Sequence, residues 1–208
     1  MDLVRRNSSS HGNEPLIDDA LKTELSVLYH AAGRHYHNLA HIEAMLTLAG
    51  DYRTLLDDPE AVEAAIWFHD AIYDSRAKDN EAQSAALAEQ KLAGRTDAGR
   101  LSRVSAMILA TATHQLPLFD DAAATRDASL FLDMDLSILG ADAVAFDAYE
   151  RAVRREYGWV EEPMWRAGRG AVLKTFLARP HIFHTQEFQQ RFEPQARLNM
   201  ARSLQALT

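Results

Sequence analysis

Apolar residues recur along the chain at intervals of three and four, and no run of any length alternates apolar with polar. That period belongs to helices with one buried face, and with no Asn-Gly or Asp-Gly hairpin turn present it predicts an all-α protein. The spacing puts a first helix over about 15–32, with Leu21, Leu25 and Leu28 inward and Gly33 placed to end it. Asn38 suits the N-cap of a second helix, about 39–50, whose inward face is His41, Met45 and Leu48. Asp58 caps a third, with Pro59 in its first turn and Glu60 where the helix dipole favours negative charge. Further helices are expected over about 80–93, 97–114, 127–140, 142–157, 162–178 and 185–205, with Pro163, Pro180 and Pro194 as boundaries or kinks. Tyr149, Tyr157, Trp165 and Phe176 read as core residues of the last third.

Against this apolar pattern a few polar residues point inward. His69 and Asp70 close the run Trp67-Phe68-His69-Asp70, and helical spacing gives His69 a face shared with Val62, Ala65, Ile66 and Tyr73. Asp135 has Phe131, Leu132, Ile138 and Leu139 around it and no basic residue within helical reach, so it reads as deeper than Asp133, whose neighbours include Ser129 and Ser137. His41 lies on the inward face of its helix. Burying carboxylates and imidazoles is costly unless something compensates them, and a divalent cation compensates several at once. His37 and His41 also have the i, i+4 spacing of a helical zinc pair, but no Glu follows His37 and a cap at Asn38 leaves His37 outside the helix. Glu81 reads equally as a dipole-matched charge or a catalytic carboxylate, and His114 as a cation at a helix C-terminus or a functional group.

Composition narrows the chemistry. With 208 residues and 47% hydrophobic content the chain can bury one core, so residues 14–208 are expected to form a single domain behind a disordered tail, 1–13. There is no Cys, which leaves His, Asp and Glu as the strong metal ligands. A formal net charge of −8 opposes binding to duplex nucleic acid, and no stretch approaches the length of a membrane span. The expected setting is the cytoplasm, with no membrane partner; a homodimer is compatible with the composition. The cluster Arg151, Arg154, Arg155, Arg166, Arg169, Lys174 and Arg179 reads mostly as a solvated face paired with Glu150, Glu156, Glu161 and Glu162.

His41, His69-Asp70 and Asp135, in that order on separate helices, resemble the H…HD…D signature of the HD superfamily of metal-dependent phosphohydrolases. More narrowly, Arg34-His-Tyr-His-Asn-Leu-Ala-His41, Phe68-His-Asp-Ala-Ile-Tyr73, Asn80-Glu81, Ala112-Thr-His114, Leu132-Asp-Met-Asp-Leu-Ser-Ile-Leu-Gly140 and Arg155-Glu-Tyr157 are similar to a subgroup of small predicted HD hydrolases, from Arg34 to the C-terminus. The resemblance implies an HD-type helical bundle and one divalent ion on His41, His69, Asp70 and Asp135, manganese first among Mg, Co, Fe, Ni and Zn. It further implies a small phosphorylated, nucleotide-like substrate, a monoester or an anhydride, cleaved by a metal-activated water. Asp74 or Glu81 would then take a proton, while Arg34, His37, His114 and Arg169 hold the substrate. Two departures matter. Hydrolases of guanosine tetraphosphate carry an acidic pair where this chain reads Tyr73-Asp74, and only His114 lies between His69 and Asp135 to build a second metal site. Two other readings remain on the same residues: a mixed-valent iron oxygenase, and a non-catalytic helical module with a structural metal.

Overall fold

The structure, a computed structural model, describes residues 15–207; the expected tail, 1–13, lies outside them. Among the described residues nine α-helices follow one another: α1 (Asp19–Tyr29), α2 (Leu39–Asp51), α3 (Pro59–Phe68), α4 (Asn80–Leu92), α5 (Ala98–Ala110), α6 (Ala122–Leu136), α7 (Ala143–Glu156), α8 (Glu162–Leu177) and α9 (Gln186–Leu207). Short 3₁₀ turns occupy Arg53–Leu55 and Ser137–Gly140, and no strand occurs among the described residues. The protein is an all-α, single-domain helical bundle. No described helix is long and apolar enough to cross a membrane.

Local chemistry sets most helix starts. Side chains of Asp18, Asn38, Asp58, Asp97, Asp121 and Asp142 each accept a backbone N–H of the first turn they precede, supplying a partner those N–H groups otherwise lack. The cap at Asp18 corrects the first expected boundary, since residues 15–18 precede the helix and it ends at Tyr29, well before Gly33. Gly33 instead takes φ 93° in the turn that follows. The helix expected to end at 114 stops at Ala110, and the one expected from 127 starts at Ala122.

Helix α3 is the centre of the bundle, buried on every side from Ala64 to Phe68, and it packs against α1, α2, α4, α5 and α6. It ends sooner than its periodicity implies: His69 is the C-cap and Asp70 lies in the turn beyond. Asp70 therefore does not share a helical face with Ile66 and Tyr73. Helix α9 closes the other side against the 137–140 turn and α8, with Pro194 inside it.

Candidate metal centre

Four donor atoms converge where the C-terminal end of α3 meets α2 and α6. His41 Nε2 lies 3.2 Å from His69 Nε2 and 3.2 Å from Asp135 Oδ1. Asp70 Oδ2 is 3.1 Å from His69 Nε2 and 3.7 Å from His41 Nε2, and His69 Nε2 is 3.7 Å from Asp135 Oδ1. One ligand atom from each of His41, His69 and Asp135 lies within 4.8 Å of the others. Nitrogen and oxygen ligands about 2.0–2.2 Å from a common ion stand roughly 3.3–3.6 Å apart in a tetrahedron and roughly 2.8–3.1 Å in an octahedron. The five separations given fall in and just beyond those ranges; the mutually close set is His41, His69 and Asp135, with Asp70 beside the two imidazoles.

Protonation tells the same story. His69 Nδ1 donates to the Ile66 carbonyl at 2.9 Å, which in the neutral ring turns the lone pair of Nε2 toward His41 and Asp70. A lone pair facing an imidazole nitrogen and two carboxylates calls for positive charge between them. Burial opposes protonation of His69, yet the charge of Asp70 and its hydrogen bond, with that of Asp135, push the ring up to about 9. Burial acts the other way on Asp70 and Asp135 and would raise them; the imidazoles His69 and His37 beside Asp70, and His114 and His41 beside Asp135, hold both well below the usual carboxylate range. The donor set and its demand for positive charge fit one divalent cation.

The surroundings orient these donors. Arg34 spends its terminal nitrogens on backbone: Nη1 donates to the carbonyls of His37 at 2.9 Å and Asp70 at 2.7 Å, Nη2 to Ala71 at 2.8 Å, and the guanidinium sits near the rings of Tyr29 and Tyr73. Both Nη groups thus fix the turn that carries Asp70 rather than make the expected phosphate contact, and the buried Nε has no partner among the described residues. His114 adopts φ 51°, in the left-handed region, with Arg179 and His184 donating to its carbonyl and Arg179 also to that of Thr113. That turn aims His114 Nε2 at Asp135 Oδ2, 2.8 Å away.

Asp133, expected to be the shallower of the two aspartates, is fully buried, whereas the side chain of Asp135 stays 13% exposed. Both oxygens of Asp133 accept backbone N–H groups, from His184 and Thr185, and Oδ2 also takes the Thr185 hydroxyl. Burial pushes its carboxyl up to about 6 against those hydrogen bonds. It joins α6 to the start of α9 and does not face the cluster.

His37 and His69 border a pocket of about 360 Å³ together with Asp70, Glu81, His114 and Asp135, so three of the four donor residues reach it and His41 lies behind them. Asp74 is not on it. The Asp74 side chain is exposed, accepts the Arg76 N–H, and borders a neighbouring cleft with Gly33, Arg155 and Trp159. Asn80 holds that turn by bonding both the N–H and the carbonyl of Asp74. Of the two expected proton acceptors, only Glu81 reaches the pocket. Arg169 does not reach it either: its guanidinium is paired with Glu150 and donates to the Tyr149 hydroxyl.

Two residues that sequence reasoning left without a role matter here. Glu156, taken as a partner for surface arginines, is buried beneath the 35–37 loop. Oε1 accepts the N–H groups of His35, Tyr36 and His37 at 2.7, 2.7 and 3.0 Å, while Oε2 accepts His37 Nδ1 at 2.6 Å and the Tyr73 hydroxyl at 2.8 Å. Burial alone would raise its carboxyl; the His37 hydrogen bond and charge, with the backbone donors, bring it down to about 2. His37 in turn stacks on Tyr73 at 4.3 Å, and its ring is pushed upward, burial being outweighed by Asp70 and Glu156. Lys78 is the second: it borders the pocket with an exposed side chain and no ion-pair partner among the described residues. No sequence signal beyond its place between Tyr73 and Asn80 marks it.

No family model matches this chain, nor does any curated protein or solved structure match it.

Proposed function

We propose that the protein is a metal-dependent phosphohydrolase of the HD type, acting on a small phosphate ester or anhydride in the cytoplasm. The observation that carries this reading is the convergence of His41, His69, Asp70 and Asp135, of which His69, Asp70 and Asp135 line a pocket that reaches solvent. His41, His69, Asp70 and Asp135 hold one divalent cation, manganese by first choice, which when bound lowers the pKa of a water toward about 7 and offsets charge developing on phosphoryl oxygens.

The chain supplies the rest. Glu81 lies on the pocket wall and accepts the proton that the attacking water gives up. Lys78, with no partner of its own, pairs with a phosphoryl oxygen as a mobile point charge. His37 has Nδ1 committed to Glu156, so its other ring nitrogen is the one left to carry a proton to a leaving oxygen. Arg34 keeps the backbone at Asp70 and His37 in register with the cluster.

The test is release of phosphate and pyrophosphate from a panel of phosphomonoesters and anhydrides with added Mn²⁺, run beside Asp70→Asn. Turnover by the native chain that vanishes in the variant, together with its bound metal, is the expected result. Retention of metal by Asp70→Asn, or no release from any compound by the metal-loaded native chain, overturns the reading.

A further inference from the structure

A second and larger cavity, about 800 Å³, opens between α7 and α8 beside the candidate metal centre. Its walls include Tyr149, Val153, Tyr157, Trp165, Val172 and Phe176. The aromatics among these read from sequence as core; the structure leaves them half-buried on an open cleft, with Tyr149 and Phe176 packed against the core on their other side. The two cavities share part of their lining, with His37, His114, Leu139, Tyr149 and Tyr157 on both. A molecule whose phosphorus lies over the four donors has its organic half directed past His37 and His114 into this cleft.

Both guanidinium groups on the cleft are engaged. Arg169 is held by Glu150 and Tyr149, and Arg179 by two carbonyls and the face of Phe176. The hydroxyls of Thr111 and Thr175 donate to their own helices, His114 Nε2 is held by Asp135, and His37 Nδ1 by Glu156. Among the described residues the cleft therefore offers no free cation to neutralise a polyphosphate tail, and most of its wall is aromatic or aliphatic, with Thr113 and Gln115 as its uncommitted polar side chains. A cavity of this size lined by aromatic and aliphatic carbon suits an uncharged body of one or two rings.

Resting on the hydrolase reading above, we infer that the cleft between α7 and α8 binds the organic half of the substrate, and that the substrates are phosphomonoesters of apolar alcohols or phenols. Calorimetric titration with non-hydrolysable phosphonates tests this in the presence of Mn²⁺. 1-Naphthylphosphonate should bind at least tenfold more tightly than methylphosphonate and more tightly than AMP or pyrophosphate. Val172→Asp, which puts a carboxylate at a 44% exposed cleft position, should remove at least tenfold of that preference with its circular dichroism and Tm unchanged. Met164→Asp, at a 71% exposed position on the same wall, provides an independent variant. Equal affinities for the two phosphonates, tighter binding of AMP or pyrophosphate, or a preference untouched by both variants overturns the inference. Binding of the naphthyl compound without turnover of any phosphate ester would sink the hydrolase reading and leave the cleft assignment standing.

Discussion

At Glu156 one carboxylate accepts five hydrogen bonds, three from consecutive backbone N–H groups and two from the His37 and Tyr73 side chains. Such a concentration of donors stabilises only the ionised form. Its folded pKa of about 2 lies below the unfolded value of 4.5, so its contribution is complete above pH 4.5 and is lost as pH falls toward 2. That depression corresponds to about 3 kcal/mol at neutral pH for a side chain with no solvent exposure. His37 is shifted upward, so its share is present below its unfolded pKa and is lost as pH rises through the folded one. Glu156→Gln should therefore lower stability by about 3 kcal/mol at pH 6, and by progressively less below pH 4.5. Urea denaturation of both proteins at pH 3, 5 and 6 measures this; a gap that stays constant across the range would mean Glu156 acts through packing rather than charge.

The pocket gives a second test on single residues. Lys78 is exposed and makes no ion pair among the described residues, so Lys78→Ala should leave stability within about 0.5 kcal/mol of native. If it pairs with a phosphoryl oxygen, KM should rise several-fold with kcat changed less. Steady-state kinetics on the best ester from the panel checks it, and an unchanged KM would remove Lys78 from the substrate site.

Between elements, the tightest constraint is where the 137–140 turn meets α9. A Cβ built on Gly140 would stand 2.6 Å from both the Cβ and the carbonyl oxygen of Phe192, so the space belongs to α9 backbone. Asn199 reinforces the approach by donating to the carbonyls of Leu139 and Ala141. Gly140→Ala should cost about 1–3 kcal/mol through overpacking and lower Tm by several degrees while helix content is kept. Thermal melts followed by circular dichroism settle it; an unchanged Tm would show that α9 moves aside freely. This constraint was not legible in the sequence, where Gly140 is only the last residue of the helix expected over about 127–140. What could be read there was local. Asn38 and Asp58 cap the helices that local spacing assigns to them, and Leu21, Leu25, His41 and Met45 fall on buried faces, because caps and faces depend on residues within one turn. Roles set by distant partners escaped. Arg34 is fixed by carbonyls 36 and 37 residues away, Glu156 by a loop about 120 residues away, and Asp133 by N–H groups 51 and 52 residues away.

Across the whole molecule the four donors tie together segments that share little else: His41 from α2, His69 and Asp70 from the end of α3, and Asp135 from α6, with His114 leaning on Asp135 from beyond α5. In the absence of a cation, the cluster meets its need for positive charge by protonating His69 up to about 9. A divalent cation bound there would compete with that proton, and because the donors are brought together only by folding, its binding energy would add directly to the stability of the bundle. At a concentration 100 times its Kd the ion should contribute about 2.7 kcal/mol, which for a chain of this length is roughly 5–10 °C in Tm. Asp135→Asn removes one ligand while keeping the side-chain volume, so it should abolish most of that shift. Lowering pH from 8 to 6 should weaken apparent Mn²⁺ affinity by up to about tenfold per pH unit for each proton displaced. Differential scanning fluorimetry of the native chain and Asp135→Asn, after chelation and with added Mn²⁺, makes the comparison. A shift of equal size in both proteins would place the ion elsewhere on the molecule. No shift in the native chain at millimolar Mn²⁺ would mean that the cluster is held together by protons alone, and the hydrolase reading would fall with it.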